Sequence, residues 1–150
     1  MGNIAVLVTG QLALVSAAVF AGAAFYINWA EQPARLQLGD EALLAQWKPS
    51  YKAGFGMQAS LAVIGFLLAL ATWMQGAHWL WLLAGCTLVA NWPYTLLVIM
   101  PVNNRLNALS PTQAGSASRD MIVRWGHLHA VRTALGTLAT LLMLSASVSY

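Results

Sequence analysis

Four residues near the carboxyl terminus have the types and spacing of a polar site inside a membrane. Trp125, His129, Arg132 and Thr133 follow one another at i, i+4, i+7 and i+8, so a helix carries them on one face. His129 and Arg132 fall about 4 to 8 Å inside an apolar run. Ionisable side chains at such a depth are costly and usually face a bundle interior or a wet cavity. Alternatively, Arg132 extends to the lipid headgroups, and His129 only satisfies a neighbouring backbone carbonyl.

A second polar group ends the first apolar run of the sequence. Asn28, Glu31 and Arg35 share a helix face if the helix continues past Pro33. An inward Glu31 would pair with Arg132 or His129 and fix the imidazole tautomer. The alternative is an ordinary helix end with a solvated Glu31–Arg35 pair, which contributes little to stability.

A third polar group lies around two prolines. Pro93 interrupts an apolar run, and a proline there kinks the helix and frees a carbonyl. Asn103 and Asn104 follow Pro101, and they are expected to act as hydrogen-bond donors at the mouth of a cavity beside the kink. Alternatively, the segment is a kinked packing helix that Pro101 and the asparagines end.

The residues that could bind metal are few. The chain has one cysteine, Cys86, with three histidines and four carboxylates, and it lacks H-x-x-x-H and C-x-x-C spacing. His127 and His129 project about 200° apart on a helix, so they cannot ligate one ion together. No metal site is predicted. His129 alone remains open as an axial ligand of haem.

The composition shows which solvent surrounds these residues. Apolar residues make up 59% and charged residues 7% of the 150 residues, whereas a soluble domain carries about 25% charged residues. Lipid must therefore cover much of the surface. The seven basic residues are scattered and form no patch, so no nucleic-acid partner is predicted.

Four apolar runs are long enough to cross a bilayer, which takes about 20 helical residues. We therefore predict an all-α, integral membrane four-helix up-and-down bundle that forms one domain over residues 1–150. The first run lacks a preceding basic segment and is longer than a signal-peptide core, so we expect it to be retained. The predicted spans are about 4–27, 55–73, 79–100 and 128–148.

The charged residues indicate the orientation of the bundle. Except for Arg132, all of them fall in two segments, 28–54 and 101–126, which we predict to be long loops on one side. The first is expected to contain a short interfacial helix from about Gly39 to Trp47, and the second a flexible stretch from Ser110 to Ser118. The positive-inside rule places both loops in the cytoplasm and both termini outside, in what we expect to be a bacterial inner membrane.

Three segments in order resemble the anthrone oxygenase-like family of small four-helix membrane proteins, and the resemblance covers essentially the whole chain. The segments are Asn28-x-x-Glu31-x-Pro33, Met100-Pro101-x-Asn103-Asn104-x-Leu106 and Trp125-x-x-x-His129-x-x-Arg132-Thr133. The resemblance implies oxidation of an anthrone to an anthraquinone by molecular oxygen, without a classical cofactor. It thus implies a hydrophobic aromatic small molecule and molecular oxygen as partners of a protein that lies in the lipid bilayer.

The resemblance, with the chemistry of an acidic CH2 group, assigns roles to these residues. We expect His129 to be the base and Glu31 to orient it. Arg132 is expected to stabilise the oxyanion together with Asn103 or Asn104. The remaining candidates are expected to bind the substrate: Trp125, Tyr51 and Trp92 as the walls of an apolar slot, and Asn28 beside them.

Two other functions remain open from the sequence. One is a haem- or metal-binding membrane redox protein with His129 as ligand. The other is a non-enzymatic bundle that binds lipid or a partner protein. Small residues at four-residue spacing (Ala18 and Gly22, Gly136 and Thr140) favour close helix packing, either within the chain or in a homo-oligomer.

Overall fold

Four long helices make up the computed structural model, which describes residues 2–149, with side chains from residue 4. Each helix is long and apolar enough to cross a membrane. The described residues contain no strand, and the predicted all-α four-helix membrane bundle is confirmed. The helices are α1 (Gly2–Tyr26, Ile27–Glu31 and Gln32–Arg35), α2 (Asp40–Met74), α3 (Leu80–Val89, Asn91–Tyr94, Thr95–Ile99 and Met100–Ala108) and α4 (Ser116–Val148).

The helices form a ring in which each one packs against its neighbours in sequence and α1 packs along α4. The connections are short, at 36–39, 75–79 and 109–115. Gly76, in the second connection, has a φ of +92°, which only glycine adopts without strain. Lys48 binds the carbonyl oxygens of Asn107 and Leu109 and so closes the end of α3 against α2.

The segments predicted as long loops are mostly helical. α2 continues without a break through Pro49, where a separate interfacial helix from Gly39 to Trp47 was expected. The stretch from Ser110 to Ser118 contains a 3₁₀ turn, Pro111–Gln113, and the start of α4. Hydropathy detects only the part of a helix that meets lipid. The 35 residues of α2 span about 52 Å at about 1.5 Å each, against about 30 Å of hydrocarbon.

α1 and α3 each contain one π-helical turn, Ile27–Glu31 and Thr95–Ile99, in which an amide donates to the carbonyl five residues back. Two residues after the end of each turn stands a proline, Pro33 or Pro101. A proline donates no hydrogen bond, and its ring would press on the carbonyl four residues back in a regular α-helix. The wider turn relieves this contact, and such turns occur frequently at functional sites.

Two apolar clusters fill the bundle. The first is rich in alanine and lies toward the termini: Ala13, Ala17, Phe20, Ala24, Ala62, Ala69, Trp81, Ala84, Leu88, Ala139, Met143 and Ala146. The second lies toward the charged connections: Leu43, Leu44, Trp47, Ile99, Val102, Leu106, Ile122 and Trp125. Buried polar residues separate the clusters along the helices: Gln58, Asn91, Thr95, His129 and Arg132. A polar layer is therefore enclosed between two apolar ones.

The closest approach of α1 and α4 depends on Gly136. A Cβ atom there would lie 2.6 Å from Cδ1 of Phe20, whose side chain is fully buried. Gly22, by contrast, has no atom within 4 Å of such a Cβ position. The small residues Ala18 and Gly22 are exposed, so this pair does not mediate packing within the chain.

Replacing Gly136 therefore tests the packing of α1 against α4. Gly136→Ala should lower the free energy of unfolding by about 1–3 kcal/mol, because the buried ring cannot move aside freely. Gly22→Ala is the matched control and should not destabilise the protein, since alanine favours a helix more than glycine does. Thermal unfolding in one detergent measures both. Equal stability of the two variants would contradict the packing described here.

Candidate active site

His129 is held at the polar layer by a residue of α1. Its Nδ1 atom lies 2.8 Å from Oδ1 of Asn28, and Oγ1 of Thr133 donates to the same oxygen at 2.8 Å. Nδ2 of Asn28 donates to the carbonyl of Gly126 at 2.9 Å. Nε2 of His129 makes no hydrogen bond with any described residue. One side of the imidazole is thus bound to α1, and the other is left for the interior of the bundle.

Arg132 brings an uncompensated positive charge into this layer. The residue is only 5% exposed, so it does not extend to the lipid headgroups. Its guanidinium carbon lies 5.7 Å from the ring centroid of Phe20, a distance at which a cation and an aromatic face attract. Its Nε atom has no hydrogen-bond partner, and no carboxylate among the described residues pairs with it.

Unpartnered polar atoms gather around Arg132. Gln58 Nε2, Trp125 Nε1 and both side-chain polar atoms of Asn103 are buried without a partner among the described residues. Buried polar groups normally have partners, so such a concentration calls for an explanation. Most of these atoms are hydrogen-bond donors. The layer is therefore suited to a ligand that presents oxygen acceptors or a negative charge.

Two small cavities meet at Arg132, and Phe55 and Gln58 line both of them. Each cavity has a volume of about 10 Å³, which is about the space that one water molecule needs. The cavity that His129 lines also includes Tyr51, Asn103 and Trp125. An aromatic ligand would need these walls to separate. A larger space of about 630 Å³ lies at the opposite end of the bundle, beside His78 and Trp81, and the described residues that line it include no Asp, Glu, Lys or Arg.

A series of aromatic side chains in mutual contact begins at His129. The ring of Trp125 lies 4.9 Å from that of His129, and Trp47 meets Trp125 edge to face at 5.8 Å. Tyr51 stacks flat on Trp47, with centroids 4.9 Å apart and planes inclined by 2°. Trp92 lies on the far side of Arg132, where it lines the second cavity. Its indole donates to the carbonyl of Ala59 at 3.1 Å and links α2 to α3.

The predicted contact of Glu31 with His129 or Arg132 is absent, and this part of the prediction is wrong. Glu31 pairs with Arg35 and accepts hydrogen bonds from Ser50 at 2.5 Å and Gln46 at 3.3 Å. The pair is not solvated either, since the side chain of Arg35 is 1% exposed and that of Glu31 22% exposed. The π-helical turn changes the angular spacing of α1, so the residue that reaches His129 is Asn28.

Asn104 does not belong to the layer. It is exposed, whereas Asn103 is fully buried. Successive helical residues point about 100° apart, so only one of two adjacent asparagines can face the interior.

Three contributors were not predicted. Thr95 and Phe55 line the cavities, and the guanidinium of Arg35 lies 5.6 Å from the ring centroid of Trp125. Thr95 and Phe55 carry no signal that separates them from ordinary membrane-helix residues. The spacing of Asn28 and Arg35 indicated a shared face but not the burial of Arg35.

The described side chains do not form a cluster of the kind that holds a metal ion. Among the described residues, no three His, Cys, Asp or Glu side chains lie close enough together to hold one. The polar layer instead offers one imidazole, one guanidinium and amide groups. Such groups can move a proton and stabilise an oxyanion.

Comparisons with known proteins agree on one family. The sequence model described as anthrone oxygenase matches residues 47–142, which include Tyr51, Asn103, His129 and Arg132. The protein named anthrone oxygenase tpcL of Aspergillus fumigatus is 30% identical, over 87% of this chain and 88% of its own. An anthrone oxygenase of Claviceps purpurea is 31% identical, over 83% of this chain and 79% of its own. No solved structure matches the chain.

The Glu31–Arg35 pair provides a test of the site's electrostatics. Glu31→Gln should lower the free energy of unfolding by about 3–5 kcal/mol, because it leaves the buried charge of Arg35 without a partner. Combining it with Arg35→Met should restore most of that loss. Chemical unfolding in detergent micelles measures both.

A partly exposed ion pair elsewhere in the chain serves as the control. Asp40→Asn disrupts the contact of Asp40 with Arg119 at 2.6 Å, in which both side chains are about one-third exposed. It should cost less than about 1 kcal/mol. Equal losses from Glu31→Gln and Asp40→Asn would show that burial of Arg35 does not matter.

Proposed function

Because the chain belongs to the anthrone oxygenase family, we propose that it is a membrane-bound oxygenase. In this proposal it oxidises a hydrophobic phenolic or anthrone-type aromatic with molecular oxygen and needs no cofactor. The observation that carries the proposal is the enclosed layer in which the imidazole of His129 and the unpaired guanidinium of Arg132 line one cavity. A base and a cation in that arrangement are what proton removal from a carbon acid requires.

The overall reaction converts the CH2 group of an anthrone and one O2 into a ketone and one water. His129 takes a proton from the CH2 group, and the negative charge moves onto the oxygen of the opposite ketone. Arg132 and Asn103 stabilise that oxyanion, because they donate hydrogen bonds in a layer from which bulk water is excluded. The base supplies an electron-rich anion that oxygen can oxidise directly.

The later steps return the protein to its starting state. The anion gives one electron to O2, and the resulting carbon radical and superoxide combine into a peroxide. The peroxide takes the proton from His129. His129 then removes the remaining C–H proton while the O–O bond breaks, and the departing hydroxide takes that proton and leaves as water. Tyr51, Trp125 and Trp92 contact the flat rings of the substrate in this proposal.

A pair of histidine variants tests the role of His129. His129→Ala should abolish oxygen uptake by detergent-purified protein supplied with a hydroxylated anthrone, because no other base lines the cavity. His127→Ala is the matched control, since His127 is exposed two residues away, and it should retain turnover. Full activity in His129→Ala would overturn the assignment of the base.

Two further measurements test the oxyanion donor and the absence of a cofactor. Arg132→Gln should lower kcat by about 10²- to 10³-fold, as the loss of an oxyanion donor does in other enzymes. An absorption spectrum and a metal analysis of the active protein test the absence of a cofactor. A Soret band, or metal in a 1:1 ratio, would contradict cofactor-independent oxidation.

We also propose that the chain lies in a bacterial inner membrane with its charged connections in the cytoplasm. The positive-inside rule supports this orientation. Single cysteines test this orientation after Cys86→Ser removes the native thiol. In intact cells, a membrane-impermeant maleimide should label Gln75→Cys in the hairpin and spare Ala117→Cys at the start of α4. Both positions are exposed. The reverse labelling pattern would invert the proposed topology.

A further inference from the structure

Asn28 can adopt only one amide orientation in this structure. Its Nδ2 atom lies 2.9 Å from the carbonyl oxygen of Gly126. A carbonyl only accepts hydrogen bonds, so the amide nitrogen must face it. Turning the amide over would set two oxygens against each other without a hydrogen between them. Oδ1 of Asn28 therefore faces His129 and Thr133.

That orientation determines where His129 carries its proton. Oδ1 of Asn28 only accepts hydrogen bonds, and it lies 2.8 Å from Nδ1 of His129. Nδ1 must therefore be the N–H donor. In a neutral imidazole the other nitrogen, Nε2, then carries the lone pair. Nε2 has no partner among the described residues, and His129 lines the cavity beside Arg132.

The surrounding packing holds Asn28 in place. One turn further along α1, Gln32 Nε2 donates to the carbonyl of Ile122 at 2.9 Å. Both amides thus bind main-chain carbonyls of α4. The helices come this close because residue 126 is glycine: a Cβ there would lie 2.7 Å from Nε2 of Gln32. Thr133 donates to Oδ1 of Asn28 at 2.8 Å and further fixes the amide.

We propose that Asn28 is a positioning residue that holds His129 as the neutral tautomer with its proton on Nδ1, so that Nε2 can accept a proton from a ligand in the cavity. The catalytic role of Asn28 rests on the proposed function, but the assignment of the His129 tautomer does not. An amide suits this position better than a carboxylate would. A carboxylate attracts a second proton to the ring, whereas a neutral amide orients the ring and leaves Nε2 free as a base.

Nitrogen NMR of histidine-labelled protein tests the tautomer directly. Spectra of ¹⁵N-histidine protein at neutral pH distinguish a protonated from an unprotonated ring nitrogen and identify each one. Loss of signals in His129→Gln assigns them to this residue rather than to His78 or His127. We expect Nδ1 protonated and Nε2 unprotonated in the wild-type protein. A proton on Nε2, or on both nitrogens, would overturn the proposal without any variant.

Two variants separate the contribution of Asn28 from a general effect of losing a hydrogen bond near His129. Asn28→Leu should remove the preference for Nδ1 and give the tautomer mixture of an unrestrained imidazole. Thr133→Val removes the other hydrogen bond to the same oxygen and should leave the tautomer unchanged. An unaltered tautomer in folded Asn28→Leu would also overturn the proposal.

Kinetics distinguish this proposal from the proposed function. If the protein oxidises anthrones, Asn28→Leu should lower kcat by about 10²-fold or more, with a smaller change in KM, because the base is present but misdirected. The wild-type protein could show the expected tautomer but no oxygen uptake. That result would contradict the proposed function and would still support the tautomer assignment. Normal kcat in Asn28→Leu would overturn the positioning role of Asn28.

Discussion

Polar groups inside a membrane must find their partners within the protein, and most of this structure follows from that requirement. Where Pro33 and Pro101 remove a donor, the helix widens into a π turn just before the proline. Asn28 and Gln32 bind carbonyls of α4, and Arg35 is buried only with Glu31 beside it. Unpaired buried polar atoms remain on Gln32, Arg35, Gln46 and Trp47, but the larger group surrounds Arg132. A ligand bound there can supply the missing partners.

The two apolar clusters pack against the polar layer from both sides. On the side of the termini, the alanines of the first cluster allow the helices to pack closely. On the other side, the helices continue beyond the length that lipid needs, and their large side chains cover His129. Arg119, which binds Asp40 and the carbonyls of Leu36 and Leu38, ties the connection between α1 and α2 to α4. His129 and Arg132 are therefore buried between two apolar layers.

The sequence predicted the helices and the inward face of α4, but not the partners of the residues on that face. Trp125, His129 and Arg132 share a side at helical spacing, and all three are buried. The expectation for Glu31 was wrong because a π turn lies within α1, and its altered spacing cannot be read from apolar periodicity. Asn103 and Asn104 were equivalent in the sequence, and only the rotation of α3, which packing sets, distinguishes them. Hydropathy likewise detected the spans but not the helical extensions that complete the second cluster.

The lack of a carboxylate beside Arg132 has a consequence for the order in which molecules enter and leave. In the proposed reaction the substrate, oxygen, the quinone and water are all neutral, and only the intermediates are anions. A fixed cation in a medium of low polarity holds an anion far more strongly than a neutral molecule. The same charge would thus retain the anionic intermediates until they are consumed and release the finished product. Such a site would sort its contents by charge and would protect the bilayer from escaping superoxide.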